Sequence, residues 1–401
     1  SPRGILMRPI YWLVVIIILL VAGAILHLPW LSYFASAAGV IFAISYFWRK
    51  FSLNKVQYQR KFVYHRGFPG ETTPAKITVE NRKLLPVSWL TTRDSWSAGA
   101  PPLAEGQIAP SHLPDRIQFI NSYSLRWNQR VTRATTIQFK KRGIHTLGPV
   151  VLESGDLFGF EESSKTVELP NTLTVYPEII PLSELGLDAD DPFGDRKARR
   201  RLFEDPNRMM GVRQYGPEDE FRRIHWPATA RTGTLQVKIY QPVTSQVMQV
   251  CLNMATGLHS WEGVVPETVE QLIKVAATIV YHGVEAGYAV GLISNGSLAQ
   301  SDQTFHLQPG RSRDQLGNLL TMLAGLSSFT LAPFDSFLLR SLPKIPMGAT
   351  MVIISAITTP ELVETIHHIR RYRQHTTLIS LDSTPPPPIQ GVKIVHHPFI
   401  P

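Results

Sequence analysis

The pattern of apolar and polar positions changes character three times along the chain. Residues 10–28 (IYWLVVIIILLVAGAILHL) and 30–48 (WLSYFASAAGVIFAISYFW) are apolar runs without Asp, Glu, Lys or Arg. At about 1.5 Å of rise per residue, each makes a helix about 28 Å long, close to the hydrocarbon thickness of a bilayer. Only Pro29 separates them, so residues 10–48 read as a two-helix transmembrane hairpin. Trp12, Trp30, Tyr46 and Trp48 near the run ends suit the headgroup zone. Small residues at Ala22, Gly23 and Ala24, and at Ala35, Ala38 and Gly39, permit close helix approach. A cleaved signal peptide fits poorly, because the run is long and immediately repeated. A buried soluble hairpin is the remaining alternative.

From 56 to 180 the period shortens. VQYQRKFVYH, AKITVEN, RIQFINSY, TTIQFKKRG and TLTVYP predict strands, with GFPGETTP, SAGAPPLAEGQIAPSHLP and LESGDLFG as breaks. With no amphipathic helix among them, these strands predict an immunoglobulin-like β-sandwich. Trp89, Trp96 and Trp127 are assigned to its core or its membrane-facing rim. Residues 181–210 form a charged connector, with DADD at 188–191 and the basic run RKARRR, whose ends are Arg196 and Arg201. Beyond 235, apolar strands alternate with helical stretches. PETVEQLIKVAATIVYHGVEAG, RDQLGNLLTMLAGL and TPELVETIHHIRRYRQ are helical, while LQVKIYQ, VMQVCLNM, YAVGLIS, TMVIISAIT, TTLISL and VKIV are strands. Near-continuous β-branched runs mean strands covered on both faces, hence a doubly wound, mostly parallel α/β sheet across 211–384. Residues 385–401 form a proline-rich tail, which excludes further helix.

Composition adds limits. A length of 401 residues suits two or three domains. Hydrophobic residues at 44% and charged residues at 18% exclude a disordered or collagen-like chain. The single cysteine excludes an internal disulfide framework and multi-cysteine metal sites. The formal charge of +9 is partly explained by Arg3 and Arg8 before the hairpin and by Arg49, Lys50, Lys55, Arg60 and Lys61 after it. These flanks place residues 1–9 and the soluble domains on the cytoplasmic side of the inner membrane, facing anionic lipid. The basic balance therefore does not call for nucleic acid.

Residues 211–231 (GVRQYGPEDEFRRIHWPATAR) concentrate charge of both signs: Arg213, Glu218, Asp219, Glu220, Arg222, Arg223 and Arg231. Arg holds carboxylates through paired planar hydrogen bonds, so the segment could lock onto the following sheet with Trp226 as its apolar anchor. A surface for a partner protein is a second reading, since exposed Arg and Trp are favoured at interface hot spots. A catalytic site is a third, although Arg and Asp without a nucleophile or metal do little chemistry.

The stretch resembles the signature of the domain-of-unknown-function-58 family. The matching positions are Gly211, Arg213, Tyr215, Asp219, Arg222, Ile224, Trp226, Ala230 and Arg231. Residues 140–160 (KKRGIHTLGPVVLESGDLFGF) resemble a second family run. Two positions depart from the pattern: Glu218 stands where the family has Gly, and His225 where it has Asp. The resemblance implies a membrane hairpin, a β-domain and a von Willebrand A-like domain. It also implies a MoxR-type AAA+ ATPase partner that acts in assembling or maturing other proteins. A von Willebrand A-like domain carries a Mg²⁺-binding Asp-x-Ser-x-Ser run after its first central strand. Here that run is NMATG, with Asn253, Ala255 and Gly257 at the ligand positions, and Ala356 where a second Asp is expected. A hard cation needs oxygen ligands, preferably anionic, so neither bound Mg²⁺ nor another cofactor is expected.

Cys251 reads as a core residue, and His367, His368, His375, His396 and His397 as surface histidines. GLISNGS reads as a strand and an Asn-Gly turn rather than a phosphate loop. No Ser–His–Asp elbow, HExxH helix or Walker motif occurs. The expected protein is a non-enzymatic, membrane-anchored interaction scaffold or accessory subunit. Its partners would be membrane lipid and protein, either an AAA+ ATPase or subunits of a membrane complex, with no nucleic acid and no small-molecule substrate. The alternatives are a hydrolase using Asp219 with His225, and a nucleic-acid binder using the run from Arg196.

Overall fold

The computed structural model describes residues 9–103, 107–155, 162–187, 203–217, 219–243, 247–257, 263–298, 301–346, 348–371 and 375–399. Arg3, Arg8, the acidic run 188–191, the basic run with Arg196 and Arg201, and Glu218 lie outside them. The chain forms two compact units, Ser1–Val175 and Tyr176–Pro401.

The first unit opens with α1 (Pro9–Ile25) and α2 (Pro29–Ser52), joined by a short turn in which His27 takes a φ of 52°. The helices approach at backbone distance, since a Cβ on Gly23 would lie 2.6 Å from Ser32 Oγ, and Ala35 is fully buried. The 24 residues of α2 are long and apolar enough to cross a bilayer, while α1 is shorter. This long apolar helix is consistent with membrane association.

Eleven strands follow among the described residues: β1 (Val56–Phe62), β2 (Arg66–Gly67), β3 (Thr72–Asn81), β4 (Val87–Ser97), β5 (Ile108–Pro110), β6 (Arg116–Leu125), β7 (Arg130–Gln138), β8 (Gly143–Leu147), β9 (Val150–Gly155), β10 (Glu162–Val167) and β11 (Asn171–Val175). They form sheets of order β1-β3-β7, β10-β9-β4-β6-β5 and β2-β11-β8, antiparallel except for the β2–β11 pair. Period-two alternation drives this arrangement. Ala75, Ile77 and Val79 of β3 face inward while Lys76 and Thr78 face outward. All three sheets bury their inner faces in one core, in which Trp96 stacks edge-on to Phe62 and Phe119. Trp127, by contrast, is 65% exposed on the β6–β7 turn.

Three sequence expectations need correction here. The stretch LESGDLFG, read as a break, begins inside β9, where Glu153 sits on the solvent side paired with Arg93 at 2.9 Å. The break read at 97–114 contains β5. Arg60 is not a lipid-facing flank residue: its side chain and that of Asp94 are both fully buried and joined at 3.0 Å. Tyr58 Oη donates to the other Asp94 oxygen at 2.8 Å, and Arg60 also donates to the Leu169 carbonyl.

The second unit contains β12 (Phe203–Gln214), α3 (Trp226–Thr232), β13 (Gln236–Val243), β14 (Val247–Leu252), α4 (Pro266–Glu285), β15 (Ala289–Leu298), β16 (Ser301–Gly310), α5 (Gln315–Gly325), β17 (Leu326–Thr330), α6 (Phe334–Ser341), β18 (Thr350–Ser355), α7 (Pro360–Arg371), β19 (Thr376–Ser380) and β20 (Lys393–His396). β12 and β13 pair separately. The seven-stranded sheet has the order β16-β15-β14-β18-β19-β20, with β17 also on β15. The run from β15 to β20 is parallel; β16 and β17 are antiparallel. Every residue of β18 is buried, as a centrally covered strand requires. On one face Cys251, Met351 and Ile353 pack with Phe337, Leu338, Leu362 and Ile366 of α6 and α7. On the other, a Cβ on Gly283 of α4 would lie 3.0 Å from Met248 Sδ. The fold is thus mixed α/β.

Here too the sequence and structure differ in places. β12 starts at Phe203, inside the stretch read as connector. β20 bears out the strand read at VKIV and ties that part of the proline-rich tail to the sheet. Asn295 and Gly296 lie within β15 instead of forming a turn, because β15 runs on to pair with β16 and β17.

Candidate functional site

The signature segment is shaped by hydrogen bonds between near neighbours. β12 delivers Arg213 outward at the edge of the β12–β13 ribbon, and Tyr215 N still donates to Leu235 O at 2.8 Å. The chain then turns back so that Asp219 receives Arg213 in a two-pronged grip, at 2.7 and 2.6 Å, and Gly216 N at 2.8 Å. Those Arg213 bonds, followed by the Gly216 N–H, hold the Asp219 carboxyl below its usual range. A single helical turn, Phe221–Arg223, follows.

Next, Ile224 bridges to Val237, and both are buried. His225 N donates to Gln236 O at 2.7 Å, and its Nδ1 accepts from Ala228 N at 3.0 Å, capping α3. Gly233, in the left-handed region at φ 66°, ends that helix.

The structure therefore brings Arg213 and Asp219 into a clamp, with Tyr215 at its base. It does not bring Asp219 and His225 together, because each is held by a different partner. Trp226 is not the apolar anchor expected of it. It is 64% exposed, and the buried anchor is Ile224. Phe221, which sequence reasoning passed over, is 71% exposed with its ring tilted against Tyr215 at 5.6 Å. An aromatic inside a run of charges was the available signal. The Arg222 side chain is 82% exposed and pairs with Glu220, and Arg231 is exposed on the last turn of α3. Two large apolar rings among arginines thus stand exposed on a hydrogen-bonded edge.

A second constellation lies at the carboxyl ends of β14 and β18 and beside them within β15. Asn253 directly follows β14 and is buried. Its Oδ1 accepts from Ala255 N at 3.1 Å and from Asn295 Nδ2 at 3.3 Å, while its Nδ2 donates to Ser355 Oγ at 2.9 Å. Asn295 Oδ1 accepts from Met254 N at 2.9 Å, and Asn295 Nδ2 also donates to Ala332 O at 3.1 Å. Ser355 Oγ in turn donates to Ile357 O at 2.6 Å. This knot of amides and a hydroxyl closes on itself.

The fit to a divalent cation is poor, since both lone pairs of the Asn253 oxygen are engaged. Ala255, Gly257 and Ala356 bring no side-chain ligand. Among the described residues no group of three or more His, Cys, Asp or Glu is placed to hold a metal ion. A cavity of about 510 Å³ opens above the knot, lined by Asn253, Thr256, Asp335, Thr359 and Glu361 among others. Asn295 was missed in the sequence because an Asn-Gly pair reads as a turn. Cys251 is fully buried, and burial pushes its thiol pKa up, so it is no nucleophile. His367, His368 and His375 are exposed, and His396 Nε2 donates to Asp382 O at 2.8 Å.

The chain is 22% identical over 269 residues to the uncharacterized protein YeaD of Bacillus subtilis (strain 168), a match that spans 65% of this chain and 60% of that protein. Among solved structures, the sporulation control protein Spo0M of Bacillus subtilis matches 34% of this chain and 55% of its own at 13% identity, with a TM-score of 0.20. A type II cohesin domain from the cellulosome of Acetivibrio cellulolyticus matches 30% of this chain and 95% of its own at 10% identity, with a TM-score of 0.21. Both structural likenesses are local and loose. Residues 211–380, which contain the clamp, α3 and the asparagine knot, match the family described as protein of unknown function DUF58 and form a region of that family.

Proposed function

We propose that the chain is a membrane-anchored, non-enzymatic interaction subunit whose docking surface is the edge carrying Phe221, Arg222 and Trp226. The observation that carries this reading is the exposure of Phe221 and Trp226, at 71% and 64%, on a segment otherwise fixed by the Arg213–Asp219 clamp and the His225 cap. Pre-formed aromatic and Arg side chains lose little entropy on binding and are the residue types that dominate interface energies. The partner is a protein, either a MoxR-type AAA+ ATPase or a subunit of a membrane complex.

The α/β unit is von Willebrand A-like in this reading, and its cation position is replaced by the knot of Asn253, Asn295 and Ser355. A metal-bridged grip on an acidic ligand is then lost, which favours a standing subunit over a cation-switched receptor. The anchor is α1 with α2, crossing the inner membrane twice and leaving the strands of the first unit and the whole second unit in the cytoplasm. Exposed Ile18, Ile25, Tyr33 and Phe34 on these helices support it, as do Arg49 and Lys50 at the end of α2.

The test is purification of the full chain from membranes in mild detergent, followed by mass spectrometry. A stoichiometric protein partner that is lost from Phe221→Ala/Trp226→Ala, at unchanged thermal stability, supports the reading. Recovery of the lone chain, or full retention of the partner by the double variant, overturns it.

A further inference from the structure

One end of the first unit presents apolar side chains that its core does not use. Leu84, on the β3–β4 connection, is 80% exposed, and Trp127, on the β6–β7 turn, is 65% exposed. The two turns are bound together. Buried Asn81 donates through Nδ2 to Leu85 O at 3.0 Å and Arg126 O at 2.9 Å, and Asn128 N donates to Lys83 O at 3.1 Å. Asn128 has a φ of 47°, a left-handed conformation that Asn tolerates, so the turn holding Trp127 outward is a built feature.

The same turns are fastened to the end of α2. Lys83 Nζ donates to Ser52 O and to Asn54 O, the latter at 3.1 Å, and Arg82 N donates to Lys55 O at 3.0 Å. Leu85 shares a groove of about 370 Å³ with Phe47, Trp48 and Phe51 of α2. Half-burial lowers the Lys83 pKa to about 8, which leaves the ammonium charged at neutral pH to hold those carbonyls. Leu84 and Trp127 thus stand beside the point where α2 passes from apolar residues to Arg49 and Lys50.

An exposed Leu and Trp on adjoining rigid turns, with exposed Lys50, Lys55 and Arg126 nearby, match an anionic bilayer surface. Indole rings favour the headgroup level, and each nearby basic group gains from anionic lipid. We propose that the β3–β4 and β6–β7 turns form a lipid-docking foot that seats Leu84 and Trp127 in the interface of the anionic bilayer entered by α2, which rests on the membrane-anchored reading above. The foot would fix the tilt of the first unit at the surface, as a helix end alone cannot.

Cys251 is fully buried, so a cysteine introduced at the surface is labelled selectively in the folded chain. Full-length Leu84→Cys and Trp127→Cys carry an NBD fluorophore in phosphatidylcholine–phosphatidylglycerol vesicles. Leu113→Cys, 60% exposed and just before the opposite end of β6, is the control. The expected result is blue-shifted emission at 84 and 127, with quenching by lipids brominated high on the acyl chain, and neither effect at 113. Equal quenching at all three positions in carbonate-resistant vesicles overturns the foot while leaving the anchor intact. Release of the chain by carbonate overturns the anchor and the foot with it.

Discussion

Two Arg–Asp pairs among the described residues share chemistry and differ in surroundings. Arg60 and Asp94 join two sheets of the first unit with both side chains fully buried. Arg213 and Asp219 fold a turn back on itself in the second unit, with the arginine side chain 52% exposed. Their carboxyl groups respond in opposite directions. Burial raises the Asp94 pKa although Arg60 opposes it, whereas the Arg213 hydrogen bonds lower that of Asp219. A desolvated pair penalises loss of either member and acts as a fastener. A pair whose arginine stands half in water while its aspartate is covered, with 9% of that side chain exposed, sets local shape at less energetic risk, which suits an edge that presents Phe221 and Trp226 to a partner.

The sharpest way to break this comparison is at Asp94. Asp94→Asn leaves the Arg60 guanidinium buried without its counter-charge, a change that costs about 3–5 kcal/mol. Urea unfolding of the detergent-solubilised chain, followed by tryptophan fluorescence, measures it. Replacing both members with apolar residues, as in Arg60→Met/Asp94→Leu, should recover much of the loss. A cost below about 1 kcal/mol for the single change would mean that the pair behaves like a solvated one.

The second prediction moves to the docking edge. Trp226→Ala should weaken binding to the purified partner by about 2 kcal/mol or more, roughly a 30-fold rise in Kd. The unfolding midpoint should stay within error of the wild type, because the ring is mostly in water. If stability falls and affinity does not, Trp226 serves the fold, as the sequence first suggested.

That error shows what was legible. The helices and parallel strands were readable because burial of one face writes a period into a helix such as α4, and burial of both faces writes a continuous apolar run into a strand such as β18. β16, with the sequence SDQTFHLQPG, was not, since an antiparallel strand added outside the parallel run needs no apolar period. The signature was visible through its charge density. Arg60 passed for a membrane-flanking charge because its partner lies 34 positions away, although the alternation in VQYQRKF sets it on the same inward face as Val56 and Tyr58. Trp226 failed for a related reason: size and apolarity give the value of burying a ring, while the His225 cap and the Ile224 bridge decide which way the chain faces.

A third effect, of intermediate size, concerns packing in the fastened unit. A Cβ on Gly99 would lie 2.2 Å from His145 Cε1. That imidazole is held between Ser97 Oγ and Lys141 O, each at 2.8 Å. Gly99→Ala should cost about 1–3 kcal/mol, because a ring held at both nitrogens cannot step aside. A neutral result in the same urea titration would mean that the ring has another rotamer available. The change should leave the docking edge unaffected, and retained partner affinity checks this.

The smallest effect separates the two aspartates most directly. With its pKa lowered in the folded state, Asp219 binds fewer protons than it does in the unfolded chain. Its contribution to stability is therefore present above the ordinary aspartate pKa of about 3.9 and fades as pH falls through the folded value. Asp94, with its pKa raised, has the opposite sign: its contribution is fullest below the ordinary value and declines as pH rises through the folded one. The stability difference between wild type and Asp219→Asn, followed downward in pH from neutrality, should thus shrink toward zero. Asp219→Asn also opens the clamp, so partner affinity should weaken at neutral pH more than the stability change alone would suggest. If instead the wild-type advantage grew in acid, Asp219 would be desolvated like Asp94, and the contrast between fastener and shaping clamp would be lost.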